Sequence, residues 1–550
     1  MSSEGQNAPP TSERGNVTRA AGVVGALTLL SRMSGLARDI VISGVFGAGT
    51  GADAFFVAFR IPNLMRRLVA EGAAATAFVP VFTDRLVAEG RAGLARASAA
   101  VGGVFSLVLL AICVVGVLAA RPLVELFAPG FVATAGKADL TISLTRWTFP
   151  YLFFAGGAAW AMGTLHTVRT FGVSALGPIL FNVTLLTAAL TLSGTMETPV
   201  FALVVGVLAG GALQFAVQLP ALWKVGVRPA DLLRFRDAAV GRVMRLMSVV
   251  VFGAAVYQVN VLLATILASL LPEGSVSYLW YADRVFEFPL GVVAVAVGTA
   301  ALPSLSSQAK SGEFAAMAET VNHSLRLTWV LCLPAMAGLW VLAEPITELL
   351  FERGRFDAHD SAMTAWALRW YVPGLFAVGS MRVLVAPFYA LERPRVPVRI
   401  AAVALVVNIA VGIALMGPVD VPETWPAAGA FEALARSIAI VDLRHAGLAL
   451  ATGVSAAFNA LALAVALTRL LPPVGWGGLA VCAARHCVAC AVLVVAVLAV
   501  SSRLGGAGAA VELAVAIPAG AVAYVIAAWL LGSEELGELR SALLRRLSRA

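Results

Sequence analysis

The segment Arg146-Trp147-Thr148-Phe149-Pro150-Tyr151-Leu152-Phe153 returns 223 positions later as Arg369-Trp370-Tyr371-Val372-Pro373-Gly374-Leu375-Phe376. The Arg-Trp pair, the proline and the Leu-Phe pair keep their spacing. The same shift carries Pro122 and Glu125 onto Pro345 and Glu348, and Pro80 onto Pro303. Self-similarity recurring at one offset is the mark of a duplicated architecture.

What is duplicated follows from composition. Of 550 residues, 60% are hydrophobic and 13% charged, against about 25% charged in an ordinary soluble domain, and the mean hydropathy is +0.89. A soluble single-core protein is excluded. At ~20 apolar residues per crossing, apolar runs between turn and charge clusters predict spans near 20–45, 53–83, 97–120, 140–165, 172–193, 200–222, 246–270, 275–305, 325–343, 360–390, 400–416, 446–468, 478–500 and 511–531. The expected fold is thus an all-α polytopic membrane protein with 14 transmembrane helices. Six spans separate the two copies, an even number, so both enter the membrane in the same direction and the halves are parallel repeats.

The organisation predicted is a disordered cytoplasmic tail over 1–19, an N-lobe over 20–224 (spans 1–6), a C-lobe over 225–470 (spans 7–12), spans 13–14 within 471–531, and a basic cytoplasmic tail over 532–550. The first 19 residues lack the apolar core of a signal peptide. Two-lobe repeats with a mid-membrane site between them are the architecture of alternating-access transporters rather than channels or enzymes.

Charge orients the chain. The formal net charge is +8, and segments on the side of the N-terminus carry 21 Lys and Arg against seven on the other side, Lys137 among the latter. That bias obeys the positive-inside rule and places both termini in the cytoplasm.

Eleven basic residues fall inside the predicted spans: Arg32, Arg38, Arg60, Arg66, Arg67, Arg146, Arg284, Arg326, Arg369, Arg382 and Arg485. Asp39, Asp53, Glu71, Asp283 and Glu287 oppose them. An arginine at the bilayer centre costs ~2.5–3.5 kcal/mol on insertion scales, so these side chains must face protein or water. Arg326, Arg369 and Arg485 sit near span ends and are expected to snorkel to the interface. Arg67 with Glu71 and Arg284 with Glu287 have the spacing of helical ion pairs. Arg32 and Arg38 flank Gly35, and Arg66 follows Pro62, whose ring bends a helix and opens a polar face. Guanidinium excess in a wet intramembrane cavity selects an anion with several oxygens, and the planar fork favours phosphate.

Other signals point to little chemistry. Gly47-Ala48-Gly49-Thr50-Gly51 joins two spans rather than a strand and a helix, so it reads as a tight external turn and not a dinucleotide loop. No P-loop, HExxH or metal-spaced carboxylate set is visible, and no cofactor or metal is expected. His166 and His323 lie at membrane edges and read as solvated. Five cysteines lie in apolar stretches, so no disulfide framework is implied. Cys487 and Cys490 form one CxxC without a second ligand pair, and free Cys behaves mainly as a small apolar residue.

At these residues the sequence closely resembles the MurJ (MviN) lipid II flippases. The likeness is carried by Ser31-Arg32, Gly35-Leu36-Ala37-Arg38-Asp39, Phe46-Gly47-Ala48-Gly49, Asp53-Ala54-Phe55-Phe56-Val57-Ala58-Phe59, Pro62-Asn63-Leu64, Arg66-Arg67, Ala70-Glu71-Gly72-Ala73 and Ala77-Phe78-Val79-Pro80. Further on, Tyr281-Ala282-Asp283-Arg284, Glu287-Phe288-Pro289, Leu302-Pro303-Ser304, Phe351-Glu352-Arg353-Gly354 and Phe388-Tyr389-Ala390 match too.

The resemblance implies the multidrug/oligosaccharidyl-lipid/polysaccharide exporter fold, with two six-helix lobes forming a V around a cationic cavity. It implies as cargo lipid II, the undecaprenyl-pyrophosphate-linked disaccharide pentapeptide, moved to the external leaflet of the bacterial cytoplasmic membrane for peptidoglycan synthesis. It assigns Arg32, Arg38, Arg66 and Arg284 to the substrate, gives gating or ion-pairing roles to Asp39, Asp53, Glu71, Asp283 and Glu287, and makes spans 13 and 14 a groove for the lipid tail. Peptidoglycan synthases and division or elongation proteins are the implied protein partners, and nothing points to nucleic acid. Some family members hold sodium through a carboxylate in span 7, where this chain offers Gln258 and Asn260 and no acid. That argues against sodium coupling and leaves the driving force open.

Two other readings stand beside it. An exporter of another polyprenyl-linked oligosaccharide or of a drug would share the lobes, although a cation-coupled drug exporter calls for membrane carboxylates rather than arginines. A membrane enzyme on polyprenyl phosphates would need an acid/base or metal set, and none is visible.

Overall fold

The structure is a computed structural model and describes residues 11–68, 74–228, 231–232, 237–423, 425, 428–538 and 541. Every regular element among the described residues is a helix; extended pairing is confined to the isolated bridges Arg353–Phe356 and Met416–Asp442. The helices group into two compact units, residues 1–46, 50–127 and 134–258 against 47–49, 128–133 and 259–550.

The first unit holds α1 (Thr11–Phe46), α2 (Thr50–Arg66), α3 (Val79–Leu118), α4 (Ala120–Phe127), α5 (Lys137–Thr148), α6 (Tyr151–Thr167), α7 (Gly172–Leu192), α8 (Phe201–Ala216), α9 (Leu219–Val225) and the first part of α10 (Ala238–Ser269). A π-helical turn, Ala74–Phe78, leads into α3. Its core lies between α3 and α6, where Phe78, Phe82, Phe105, Leu109, Leu152 and Trp160 are buried together. Small residues let these helices approach, as lipid-embedded interfaces require. A Cβ on Gly102 would lie 2.5 Å from the Trp160 ring, and one on Gly156 2.4 Å from Leu109. The Trp160 indole donates to the Ser98 carbonyl at 2.9 Å, so the ring is fixed at both ends.

The second unit continues with α11 (Ser275–Ser311), α12 (Phe314–Val341), α13 (Ala343–Phe351), α14 (Ala358–Tyr371), α15 (Gly374–Ala390), α16 (Arg395–Leu415), α17 (Ala428–Ile438), α18 (His445–Leu467), α19 (Trp476–Leu504) and α20 (Ala509–Leu530). One buried cluster joins α11, α12, α15 and α18 through Leu305, Leu325, Phe388 and Leu463. A second packs the α19–α20 hairpin on α12 through Leu333, Leu493, Val497 and Tyr524.

The repeat is written into the helix ends. α3 and α12 stop at Leu118 and Val341, α5 and α14 at Thr148 and Tyr371; α6 and α15 run Tyr151–Thr167 and Gly374–Ala390; α7 and α16 run Gly172–Leu192 and Arg395–Leu415. Each pair is 223 residues apart. Pro150 and Pro373 sit at the breaks, because a proline without an N–H interrupts the ladder there, and α14 and α15 meet at 45°. Beyond α16 the register is lost, since the 417–444 segment with α17 intervenes before α18.

Eight described helices are long and apolar enough to cross a membrane, nine if the bent pair α14–α15 is one span. Several expected spans differ in shape. The second, expected over 53–83, is helical on both sides of residues 69–73, which lie outside the described residues, and α3 carries on from Val79 through a break at Gly90 (φ 67°). The charged stretch before and after that break is helix rather than loop, and its charges are paired: Arg85 with Glu89 and, at 3.0 Å, Asp237; Arg96 with Glu89 at 2.7 Å; Arg242 with Asp84 at 2.6 Å. Part of the tail expected over 1–19 is helical. Helix α1 already includes Thr11 to Arg19; residues 1–10 lie outside the described residues.

Candidate functional site

Arg38 is anchored on three sides. On α1 its Nε and Nη2 donate to Asp39 Oδ1 at 2.9 and 2.7 Å, and its Nη1 donates to Asn182 Oδ1 on α7 at 2.9 Å. The Asn182 amide in turn donates to the Ser31 carbonyl at 3.2 Å and to Ser34 Oγ at 3.1 Å. Gly35 lies beside this amide, and a Cβ there would make an ordinary 3.5 Å contact with the Asn182 nitrogen. Asp39 is 2% exposed and Arg38 13%, so this is a nearly dry charge pair whose strength depends on every lone pair being answered. One turn and a half earlier, Arg32 projects with its side chain exposed.

Arg66 closes α2. Its Nε donates to Asn63 Oδ1 at 2.9 Å, one turn back and just after the buried Pro62. The guanidinium is half-buried, as is that of Arg67. Glu71, expected to pair with Arg67, lies outside the described residues.

Arg284 in α11 is held by its own helix. Trp280 and Glu287, four residues before and three after, share its face. The guanidinium lies 4.7 Å from the Trp280 ring centroid and donates to Glu287 Oε2 at 3.1 Å. Asp283 is half-buried beside it. Arg32, Arg38 and Arg66 belong to the first unit, Arg284 to the second.

Asp53, in the first turn of α2, accepts from Lys137 Nζ at 2.8 Å. Both side chains are buried, at 2% and 3% exposure. Lys137, expected in an external loop, instead starts α5, where Gly136 (φ 73°) turns the chain and the side chain is buried in the unit. Of the three arginines expected to snorkel, two are paired: Arg326 with Glu535 at 3.3 Å and Arg369 with Glu344 at 3.0 Å. Arg485 donates to the Gly532 carbonyl at 3.2 Å.

Asn182, Trp280 and Lys137 are the residues about these charges that sequence reasoning missed. A census of opposite charges passes over an amide and an indole, and Lys137 carried only its loop-like neighbours as a signal.

The family model described as lipid II flippase MurJ matches residues 42–423. The chain is 36% identical over 471 residues to the lipid II flippase MurJ of Burkholderia cenocepacia, covering 84% of this chain and 86% of that protein. It is 38% identical to the probable lipid II flippase MurJ of Vibrio cholerae, over 70% and 75% of the two chains.

The chain belongs to the MurJ family.

Its fold agrees with that placement. A solved lipid II flippase MurJ in an inward closed conformation superposes with a TM-score of 0.74 at 23% identity, covering 92% of this chain and 98% of that one. An inward-facing multidrug resistance MATE transporter of the MOP superfamily gives 0.62 at 14% identity, over 82% and 98%. As a MurJ family member the chain is a multi-pass bacterial membrane protein, all-helical among its described residues.

Proposed function

We propose that this chain flips lipid II from the cytoplasmic to the external leaflet of the bacterial inner membrane. The observation that carries the reading is its kinship, along most of its length, with proteins named as lipid II flippases. The chemistry agrees with it. Arg32, Arg38, Arg66 and Arg284 supply forked donors suited to a pyrophosphate, and the partners described above hold three of them in fixed rotamers. Transport, not catalysis, is the activity assigned. The cargo is released unchanged, and the headgroup's bonds are neither formed nor broken.

In this reading fourteen helices cross the membrane, both termini are cytoplasmic, and the two lobes alternate access about the arginines. Asp39, Asp53 and Glu287 hold or gate the cations they face, with Asp283 and Glu71 in the same class. The outward faces of α19 and α20 expose Val481, Val488, Val492, Val495, Val515 and Val522. Such a surface suits a polyprenyl tail too apolar to enter a cavity lined by arginine.

Depletion and substitution test it together. Cells depleted of the protein should retain lipid II in the inner leaflet, whereas loss of a phosphatase would leave undecaprenyl pyrophosphate. Alanine at any one of the four arginines should abolish translocation with the protein still in the membrane. Lysine should restore it partly at best, since it keeps the charge and loses the fork. Full complementation by two or more of the alanine variants would remove the assignment.

A further inference from the structure

We propose that Cys482, His486 and Glu535 form a binding site for a zinc-class divalent cation at the end of the α19–α20 hairpin remote from its 505–508 turn. Cys482 and His486 are four residues apart in the second and third turns of α19 and so share one face. Glu535 comes from the chain just past α20. The thiol sulfur, an imidazole nitrogen and a carboxylate oxygen all lie within 4.8 Å of one another. All three side chains are buried, His486 completely.

Hydrogen bonding fixes the tautomer. Tyr524 Oη donates its only proton to the Val330 carbonyl at 2.8 Å. The same oxygen lies 2.8 Å from His486 Nδ1, so there it can only accept, and Nδ1 carries the hydrogen. In the neutral ring, Nε2 is then a bare lone pair. That lone pair faces Glu535 Oε2 at 3.8 Å and Ser533 Oγ at 3.3 Å. The Ser533 hydroxyl already donates to Glu535 Oε2 at 2.8 Å. Nε2, Ser533 Oγ and Glu535 Oε2 thus face one another with one hydroxyl proton among them, and a cation placed there would meet the imidazole and the carboxylate together. An imidazole whose far nitrogen is held by a hydrogen bond is also the form in which histidine ligates metals.

The donor set selects the ion. A thiolate with an imidazole and one carboxylate suits zinc and disfavours magnesium and calcium, which take oxygen shells. Zinc–ligand distances of about 2.0–2.3 Å imply edges between donors of about 3.3–3.7 Å, so the widest separation must close by about 1 Å. On loading, the Cys482 thiol loses its proton to solvent, His486 binds as the neutral ring and Glu535 as the carboxylate. Two negative charges then meet a dication, with Arg326 remaining on the other carboxylate oxygen. Three protein ligands leave a fourth position for water or Ser533. A cavity of about 380 Å³ lined by Asn322, His323, Arg326, Glu535 and Glu538 gives the ion a route to the carboxylate. Bound there, it would staple the segment after α20 to α19.

The test uses the full-length protein in detergent, stripped with a chelator and titrated with Co2+ as the probe, then with Zn2+. One equivalent should raise a thiolate-to-cobalt charge-transfer band that Zn2+ bleaches. C482S should lose the band, C487S, which removes the exposed neighbouring thiol, should keep it, and Y524F should weaken Co2+ binding about tenfold through the lost support of His486. If C482S is not recovered folded, E535Q, whose change lies past α20, carries the same test through its loss of affinity. Absence of the band in the unsubstituted protein, its survival in C482S, its loss in C487S, or unchanged affinity in E535Q would each overturn the site.

Discussion

Asn182 Oδ1 on α7 accepts a hydrogen bond from Arg38 Nη1 on α1 at 2.9 Å, across 144 residues of sequence. The relationship sets what Arg38 can offer a ligand. Asp39 alone leaves the guanidinium free to swing about one carboxylate oxygen. With Asn182 on the opposite nitrogen its plane is fixed, and a fixed plane is what bidentate phosphate binding needs.

Asn182→Ala should therefore lower lipid II translocation without removing a charge. One hydrogen bond to a charged group is worth ~1.5–3 kcal/mol, so a loss of roughly one to two orders of magnitude in rate is expected if the positioning is spent in transport. Asn182→Asp should be as harmful, because a second carboxylate competes with the cargo for Arg38. The measurement is external lipid II in spheroplasts at matched protein levels. Wild-type export by both variants would show that the amide does not position Arg38.

The buried pair Lys137–Asp53 is predicted to be a stability element whose cost appears when it is broken singly. Asp53→Ala leaves an ammonium in a dry site and should destabilise the protein by ~3–5 kcal/mol, whereas D53A with K137M removes both charges and should recover most of that loss. Thermal unfolding in detergent, read for both single variants and the double, gives the coupling. Additive losses would mean that the two side chains do not depend on each other.

Much of the fold was legible because its punctuation is chemical. Prolines 150 and 373 break helices wherever they stand, and the arginine–tryptophan and leucine–phenylalanine pairs around them kept their spacing, so the repeat could be read before any helix was placed. The site was less legible. Lys137 stands between Gly136 and Asp139 in a stretch that reads as loop, and its partner is 84 residues away in sequence. Arg326 reads as a snorkelling residue because it stands near a span end, and nothing local reveals that the chain returns past α20 to set Glu535 against it. Asn182 is neutral in an apolar helix, and only the packing of α7 on α1 gives it a charge to hold. What sequence conveyed was local; the missing part is long-range pairing.

Topology has its own test. Thr195 and Gly508 are exposed between helices on the side predicted to be external, and Ala92 and Ser311 are exposed on the side predicted to be cytoplasmic. In a C487S background, cysteines at the first two should react with an impermeant maleimide in intact spheroplasts, and those at the second two only after lysis. The motive is the split of 21 against seven basic residues. Labelling at Ala92 without lysis would invert the chain.

The last prediction concerns how α3 comes to lie on the chain joining α5 and α6. A Cβ on Gly116 would stand 1.9 Å from the Phe149 ring, far inside any permitted contact, and Phe149 is itself 2% exposed with no space to rotate into. The neighbouring Cys113 donates weakly to the Phe149 carbonyl at 3.4 Å, so the backbone there is held as well. Gly116→Ala must therefore push the two segments apart. Overpacking of this kind costs about 1–3 kcal/mol, and in the membrane it also removes the close contact on which helix association depends. Gly172→Ala is the control, since nothing lies within 4 Å of a Cβ at the start of α7. Alanine's higher helix propensity should there be neutral or stabilising by about 0.5–1 kcal/mol. Unfolding temperatures in one detergent should fall for G116A and hold or rise for G172A, and a G116A protein as stable as the unsubstituted one would show that α3 does not make this approach.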